Sequence, residues 1–174
     1  MSSRVDIGAV LVLIVLLVVP VATGMTSAEA SRTTATVERV IDGDTLVVRG
    51  GAHVRLVQID APEAGEECYA ALSTLELLRL APSGTRVELE SDPALDQVDR
   101  YGRLLRYVRV GTRNVNVELV RRGAATPWFY GGERGRYAAR FLAAVSTARA
   151  ERRGMWRACR VFWRPDAPVD TRSR

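Results

Sequence analysis

Two aspartates, Asp44 and Asp60, stand at the ends of successive β-like runs, with Arg55 between them. Asp44 follows Asp42-Gly43, a strong hairpin signal between the runs 36–41 and 44–48. Asp60 ends the run 53–59, because the proline of Ala61-Pro62-Glu63 removes a ladder donor and holds its predecessor extended. Folding these runs as a meander brings both carboxylates to one end of a sheet. Such a pair makes a hard oxygen site of the kind calcium accepts, with about 6–8 oxygens in irregular geometry, and the Ala61 carbonyl is a candidate for one of them. Taken alone, Asp42 and Asp44 also fit an ordinary turn. Arg55 taken alone fits a solvated or ion-paired strand residue. Beside two carboxylates on a cationic chain, it becomes a candidate clamp for a phosphoryl oxygen.

The elements that would hold these residues are set by periodicity. After the three strands, residues 69–80 carry Leu72, Leu75, Leu78 and Arg79 at helical spacing. Pro82-Ser83-Gly84 breaks that helix, and residues 85–89 alternate as a fourth strand. Residues 92–102 form a polar loop, and 104–110 a fifth strand. Residues 116–122 read as a short helix stopped by Gly123, and 133–151 as the longest helix, with Tyr137, Phe141, Val145 and Ala148 three or four apart. The tail 161–174, with Pro165 and Pro168, is expected to be loosely structured. Five short strands and three α-helices in this order fit a small closed Greek-key barrel of the oligonucleotide/oligosaccharide-binding (OB) kind. An open α+β sheet satisfies the same pattern.

The chain of 174 residues opens with Arg4, an apolar run from Ile7 to Val19 broken only by Gly8, and the small-residue stretch Ala28-Glu29-Ala30. These features fit a signal peptide cleaved after Ala30, which would release a secreted domain; the alternative is a retained membrane anchor with the domain outside the cytoplasm. Residues 31–160 have room for one domain with one core. Arg4 against Asp6 and Glu29 gives the first thirty residues −1, so the remainder of a +5 chain carries +6. That balance favours polyanionic partners, although a solubilising surface would look the same. Every basic residue is arginine, the side chain that grips phosphate through two parallel hydrogen bonds. Cys68 and Cys159 would pair in an oxidising compartment, with two buried thiols as the alternative. Two isolated cysteines and one histidine exclude a four-ligand zinc site of the usual kind, and His53 reads as a surface strand residue.

Three segments, Val40-Ile41-Asp42-Gly43-Asp44-Thr45, Val54-Arg55-Leu56-Val57-Gln58-Ile59-Asp60-Ala61-Pro62-Glu63 and Asp99-Arg100-Tyr101-Gly102-Arg103, resemble the signature segments of the staphylococcal nuclease (thermonuclease) family, in the same order. The resemblance runs from about Thr36 to Trp156. It implies a five-stranded barrel with three helices and calcium-dependent, non-sequence-specific hydrolysis of DNA and RNA. By that resemblance Asp44, Asp60 and the Ala61 carbonyl would bind Ca2+, Arg55 and Arg103 would hold the scissile phosphate, and Glu63 would activate or orient water. Arg100 would supply a cation for a terminal phosphate beside Tyr101, and Trp128-Phe129-Tyr130 lies where the family places rings that contact bases. Ala61 departs from the threonine of the best-known member, and the loop after Glu63 is short. No obligate protein partner is implied. A non-catalytic nucleic-acid-binding OB module at the cell envelope is the alternative of a different class.

Overall fold

The computed structural model describes residues 31–174, and the expected leader over 1–30 lies outside the described residues. The chain begins with a long strand, β1 (Arg32–Val40), followed by β2 (Thr45–Val48) and β3 (His53–Leu56). The three are antiparallel neighbours, as the meander pattern predicts. β1 serves two partners: its first half pairs with β5 (Arg86–Glu90) and its second half with β2, with a register irregularity between Val37 and Arg39. A bulge of this kind bends the strand and lets the sheet curl. β5 pairs in turn with β6 (Leu104–Val110), against whose end the two-residue β7 (Arg113–Asn114) folds back, and β6 meets β3 in parallel, Arg55 opposite Leu105. That last pairing closes the five-stranded barrel and removes its open edges. Val37, Leu46, Val54, Leu56, Val87 and Val108 fill the interior.

Three helices pack around the barrel: α1 (Ala70–Leu80), α2 (Val115–Arg122) and α3 (Ala138–Ala150), with a further single turn, α4 (Met155–Ala158). α2 is capped at both ends, and its stop at Gly123 is the one the sequence predicts. The Asn114 side chain accepts from the Val117 N–H, and Gly123 takes the left-handed conformation, φ 70°, that ends the helix. α1 occupies the expected span but buries Ala70, Ser73, Leu77 and Leu80, leaving Leu72, Leu75 and Leu78 partly exposed.

Three expectations need correction. The run 53–59 is not one strand: β3 ends at Leu56, and a separate two-residue strand, β4 (Ile59–Asp60), pairs with β8 (Thr126–Pro127) instead. The break is at Gln58, a non-glycine residue at φ 62°. Its side chain explains the cost being tolerated: the amide nitrogen donates to Glu133 O, and Oε1 accepts from Tyr107 Oη and the Gly135 N–H. The long helix starts at Ala138 rather than 133, because Gln58 and Asp92 hold the backbone of Gly135 and Arg136 against the barrel before the helix begins. Finally, the tail beyond residue 160 is ordered. β9 (Arg160–Phe162) and β10 (Asp170–Arg172) form an antiparallel pair that returns to the barrel, with Val169 and Thr171 buried. Cys68 and Cys159 form a disulfide that anchors this return.

Candidate active site

Asp44 is fixed by its own turn. The Asp42 carboxylate accepts from the Asp44 N–H at 3.0 Å, and the Ile41 N–H donates to Thr45 O at 2.9 Å, closing the loop into β2. Gly43 is required here for space rather than for turn geometry, since its φ is not positive. A Cβ at this position would lie 2.6 Å from Ala61 Cβ and 2.7 Å from Ser73 Cβ. The bare glycine lets the β1–β2 turn press against the end of β4, and this contact is what unites the two carboxylates. Asp44 Oδ2 accepts from the Ala61 N–H at 2.8 Å, across seventeen residues of sequence.

Arg55 lies between the aspartates. Its Nη2 is 3.0 Å from Asp44 Oδ2 and 2.9 Å from Asp60 Oδ1, while Nη1 donates to the carbonyls of Leu56 and Ile59. The other Asp60 oxygen, Oδ2, accepts from the Val169 N–H at 2.8 Å. All three side chains are nearly inaccessible, with Asp44 5%, Asp60 6% and Arg55 8% exposed. Two buried carboxylates thus share one guanidinium, and charge is not balanced. Burial pushes the Asp44 carboxyl up to about 7, against the lowering influence of Arg55, and Asp42 and Asp60 add to the rise. Burial likewise raises Asp60, opposed by Arg55 and the Val169 N–H.

Glu63 sits on the next, exposed turn, where its N–H donates to Glu67 Oε2 at 2.6 Å and Glu67 answers with its own N–H to Glu63 O. Both acids are close enough to raise Asp60 further. Arg103 stands just before β6, the parallel neighbour of β3. Asp99 aims it, accepting from Arg103 Nε at 2.6 Å and from the N–H groups of Tyr101 and Arg103. Although burial alone would raise it, these hydrogen bonds hold Asp99 below the usual carboxylate range.

Arg55 and Arg103 both face a cavity of about 350 Å³, walled also by Arg100, Tyr101, Trp128 and Tyr130. Tyr101 is 67% and Tyr130 72% exposed, so both rings are open to solvent. Arg100 and Arg103 lie over the Tyr101 ring, 4.8 and 5.4 Å from its centroid. Trp128 meets Tyr130 edge to face at 5.7 Å. Phe129 must be withdrawn from the candidate surface: at 2% exposed it is a core residue, and its N–H is taken by Pro165 O. His53 is exposed at the start of β3, as expected.

The structure therefore gathers Asp44, Arg55, Asp60 and Ala61 into direct contact and places Glu63 and Arg103 on flanking turns. Glu67, Asp99 and Val169 also hold this group and Gln58 fixes the break ahead of β4, and sequence reasoning assigns none of the four a role. Asp99 alone had a signal, its Asp-x-x-Gly turn before Arg103; the Val169 contact spans 109 residues and leaves no local trace. Among the described residues no three His, Cys, Asp or Glu side chains converge as a complete metal cage. The donor set nonetheless fits a hard divalent cation, because two buried carboxylates with raised proton affinity and one shared cation leave negative charge uncompensated.

Known proteins share this arrangement of sequence. The profile of the family described as "Staphylococcal nuclease homologue" matches residues 53–158. A thermonuclease of Staphylococcus intermedius is 35% identical over 103 residues, covering 54% of this chain and 59% of its own length. A micrococcal nuclease of Shigella flexneri is 34% identical over 132 residues, covering 69% of this chain and 71% of its own. Endonuclease YncB of Bacillus subtilis is 30% identical over 129 residues, covering 70% of this chain and 60% of its own. The match over 53–158, more than half of the chain, agrees with the closed barrel: this chain belongs to the Staphylococcal nuclease homologue family.

Proposed function

We propose that the protein is an exported nuclease that hydrolyses phosphodiester bonds of DNA and RNA with the help of Ca2+. The observation that carries this reading is the buried Asp44–Arg55–Asp60 contact at the edge of a cavity lined by Arg103 and exposed aromatic rings. Its relatives' names, thermonuclease, micrococcal nuclease and endonuclease, point the same way.

Asp44 and Asp60, with the Ala61 carbonyl, would hold the ion. When bound, calcium supplies positive charge against the phosphate oxygens and the attacking water. The remaining steps belong to the chain's own residues. Arg55 and Arg103 oppose the negative charge that builds on the phosphate oxygens during in-line attack, and loss of one such donor typically costs about 3–4 kcal/mol in the barrier. Glu63, exposed beside Asp60, orients or deprotonates the water. Tyr101, Trp128 and Tyr130 offer faces for unpaired bases, a contact that is worth roughly 1–3 kcal/mol and carries no sequence code. The Cys68–Cys159 disulfide supports an oxidising destination, which agrees with the leader read from the first thirty residues.

Digestion of plasmid DNA and of RNA, with calcium or with chelator, tests the reading. Cleavage is expected only with calcium and should fall by orders of magnitude in Glu63→Gln. Nucleic-acid binding without cleavage in any condition would instead establish the non-catalytic module.

A further inference from the structure

The C-terminal return, residues 160–172, is held to β8 and its neighbour by Trp163 Nε1 donating to Pro127 O at 2.7 Å and the Phe129 N–H donating to Pro165 O, and its remaining hydrogen bonds to the barrel reach the candidate site. Val169 N–H donates to Asp60 Oδ2 at 2.8 Å, so this carboxylate is held at one oxygen by Arg55 and at the other by the return. Two residues on, Thr171 N–H donates to Glu67 Oε1 at 2.8 Å, while Glu67 Oε2 takes the Glu63 N–H. Both oxygens of Glu67 therefore join the return to the turn that carries Glu63. The register is locked by Thr171 Oγ1 donating to Cys68 O at 2.7 Å and by Cys68 N–H donating to Thr171 O at 3.2 Å. The Cys68–Cys159 disulfide ties the start of the return to that same turn. Val169 and Thr171 are buried, and the small cluster of Met155, Cys159 and Val169 beneath them is joined to the barrel core by Tyr69, Trp156 and Trp163. Beyond this packing, the carboxylates of Asp60 and Glu67 are each held by the backbone of the return.

We propose that residues 160–172 form a disulfide-anchored strap that positions the reaction's acids, with the Val169 N–H setting the plane of Asp60 and Glu67, held by Thr171, setting the Glu63 turn. Val169, Thr171 and Glu67 are positioning residues, not catalytic ones. The roles of Asp60 and Glu63 in this statement rest on the nuclease reading; the mechanical coupling does not. Outer-shell partners of a metal-binding carboxylate typically govern roughly 10–100-fold in metal affinity or activity.

Full-length protein carrying Val169→Pro, which deletes the one N–H, or Glu67→Ala is compared with wild type by amide hydrogen exchange, calcium calorimetry and cleavage kinetics. Val169→Pro should accelerate exchange in peptides covering 59–61 but not in β1 and β2, and weaken calcium binding roughly 10–100-fold. Glu67→Ala should accelerate exchange over 62–67 and lower kcat with KM unchanged. Reducing the disulfide should accelerate exchange over both stretches. The exchange comparison needs neither calcium nor nucleic acid, so a wild-type protein that cleaves nothing would sink the nuclease reading while the strap is still decided. Should Val169→Pro fail to fold, Glu67→Ala and the reduced wild type decide it. Exchange over 59–67 that is unchanged in the folded variants and after reduction overturns the proposal.

Discussion

At the scale of single residues, the site is defined by a charge imbalance. Asp44 holds its proton more tightly in the fold than in the unfolded chain, with a pKa near 7 against an ordinary value of 3.8. The sign comes from proton linkage: between about pH 4 and pH 7 the folded state binds more protons, so stability falls as pH rises through this window. Thermal unfolding in chelator should therefore show the margin of wild type over Asp44→Asn shrinking from pH 4 to pH 7. A margin independent of pH would mean that Asp44 is ionised throughout. Arg55 is the counterpart. Truncation to alanine leaves two buried carboxylates facing each other, and removal of one partner from a buried ion pair costs about 3–5 kcal/mol. Arg55→Ala should be destabilised on that scale in denaturant titrations with chelator, and the loss should narrow when calcium is added. The pairing of Asp44 with Asp60 was legible in sequence because both stand at strand ends. That the same guanidinium bridges them was not, since an arginine in a strand reads alike whether it faces solvent, a carboxylate or a phosphate.

At the scale of elements, Gly43 separates two explanations for one residue. The Asp-Gly pair marks a hairpin in sequence, and a hairpin is there, but glycine's left-handed conformation is not used. The structure needs its missing side chain, because β4 and α1 press on it through Ala61 and Ser73. Gly43→Ala should cost about 1–3 kcal/mol, the range for overpacking, in equilibrium unfolding, and should lower calcium affinity by separating Asp44 from Ala61. A neutral effect would restore the turn explanation. The first two strands, the fourth and fifth, the spans of α1 and α2 and the stop at Gly123 were readable because they rest on local periodicity and end signals. The break at Gln58 was not, because its left-handed backbone is held by Tyr107, Glu133 and Gly135, partners 49 to 77 residues away. The leucines of α1 mislead for a related reason. Their spacing announces a helix, but the barrel's shape decides which face is buried, and it is the face of Ser73 and Leu77.

At the scale of the whole molecule, a cationic barrel closes on itself through the parallel β3–β6 pair, and the two ends of the described chain are tied to it differently. The first strand is built into the barrel; the last residues are held by a disulfide spanning 91 positions. In the chain-entropy treatment, closing a loop of that length stabilises the fold by about 4–5 kcal/mol. Reduction should therefore lower the unfolding midpoint in denaturant by a corresponding amount, and a midpoint indifferent to reductant would show that the tail is held by its other contacts. The tail's order had no signal in its own composition, since its partners Asp60, Glu67 and Pro127 lie in the middle of the chain. The proposal that the Asp44–Asp60 pair holds the metal for catalysis is tested most sharply by the initial rate of cleavage of a labelled single strand as calcium is titrated, for wild type and Asp60→Asn side by side. If the pair holds the metal, the rate is absent in chelator, saturates with calcium in wild type, and at any calcium concentration is lower by orders of magnitude in Asp60→Asn. A rate that persists in chelator, or that is the same in both proteins, would contradict it.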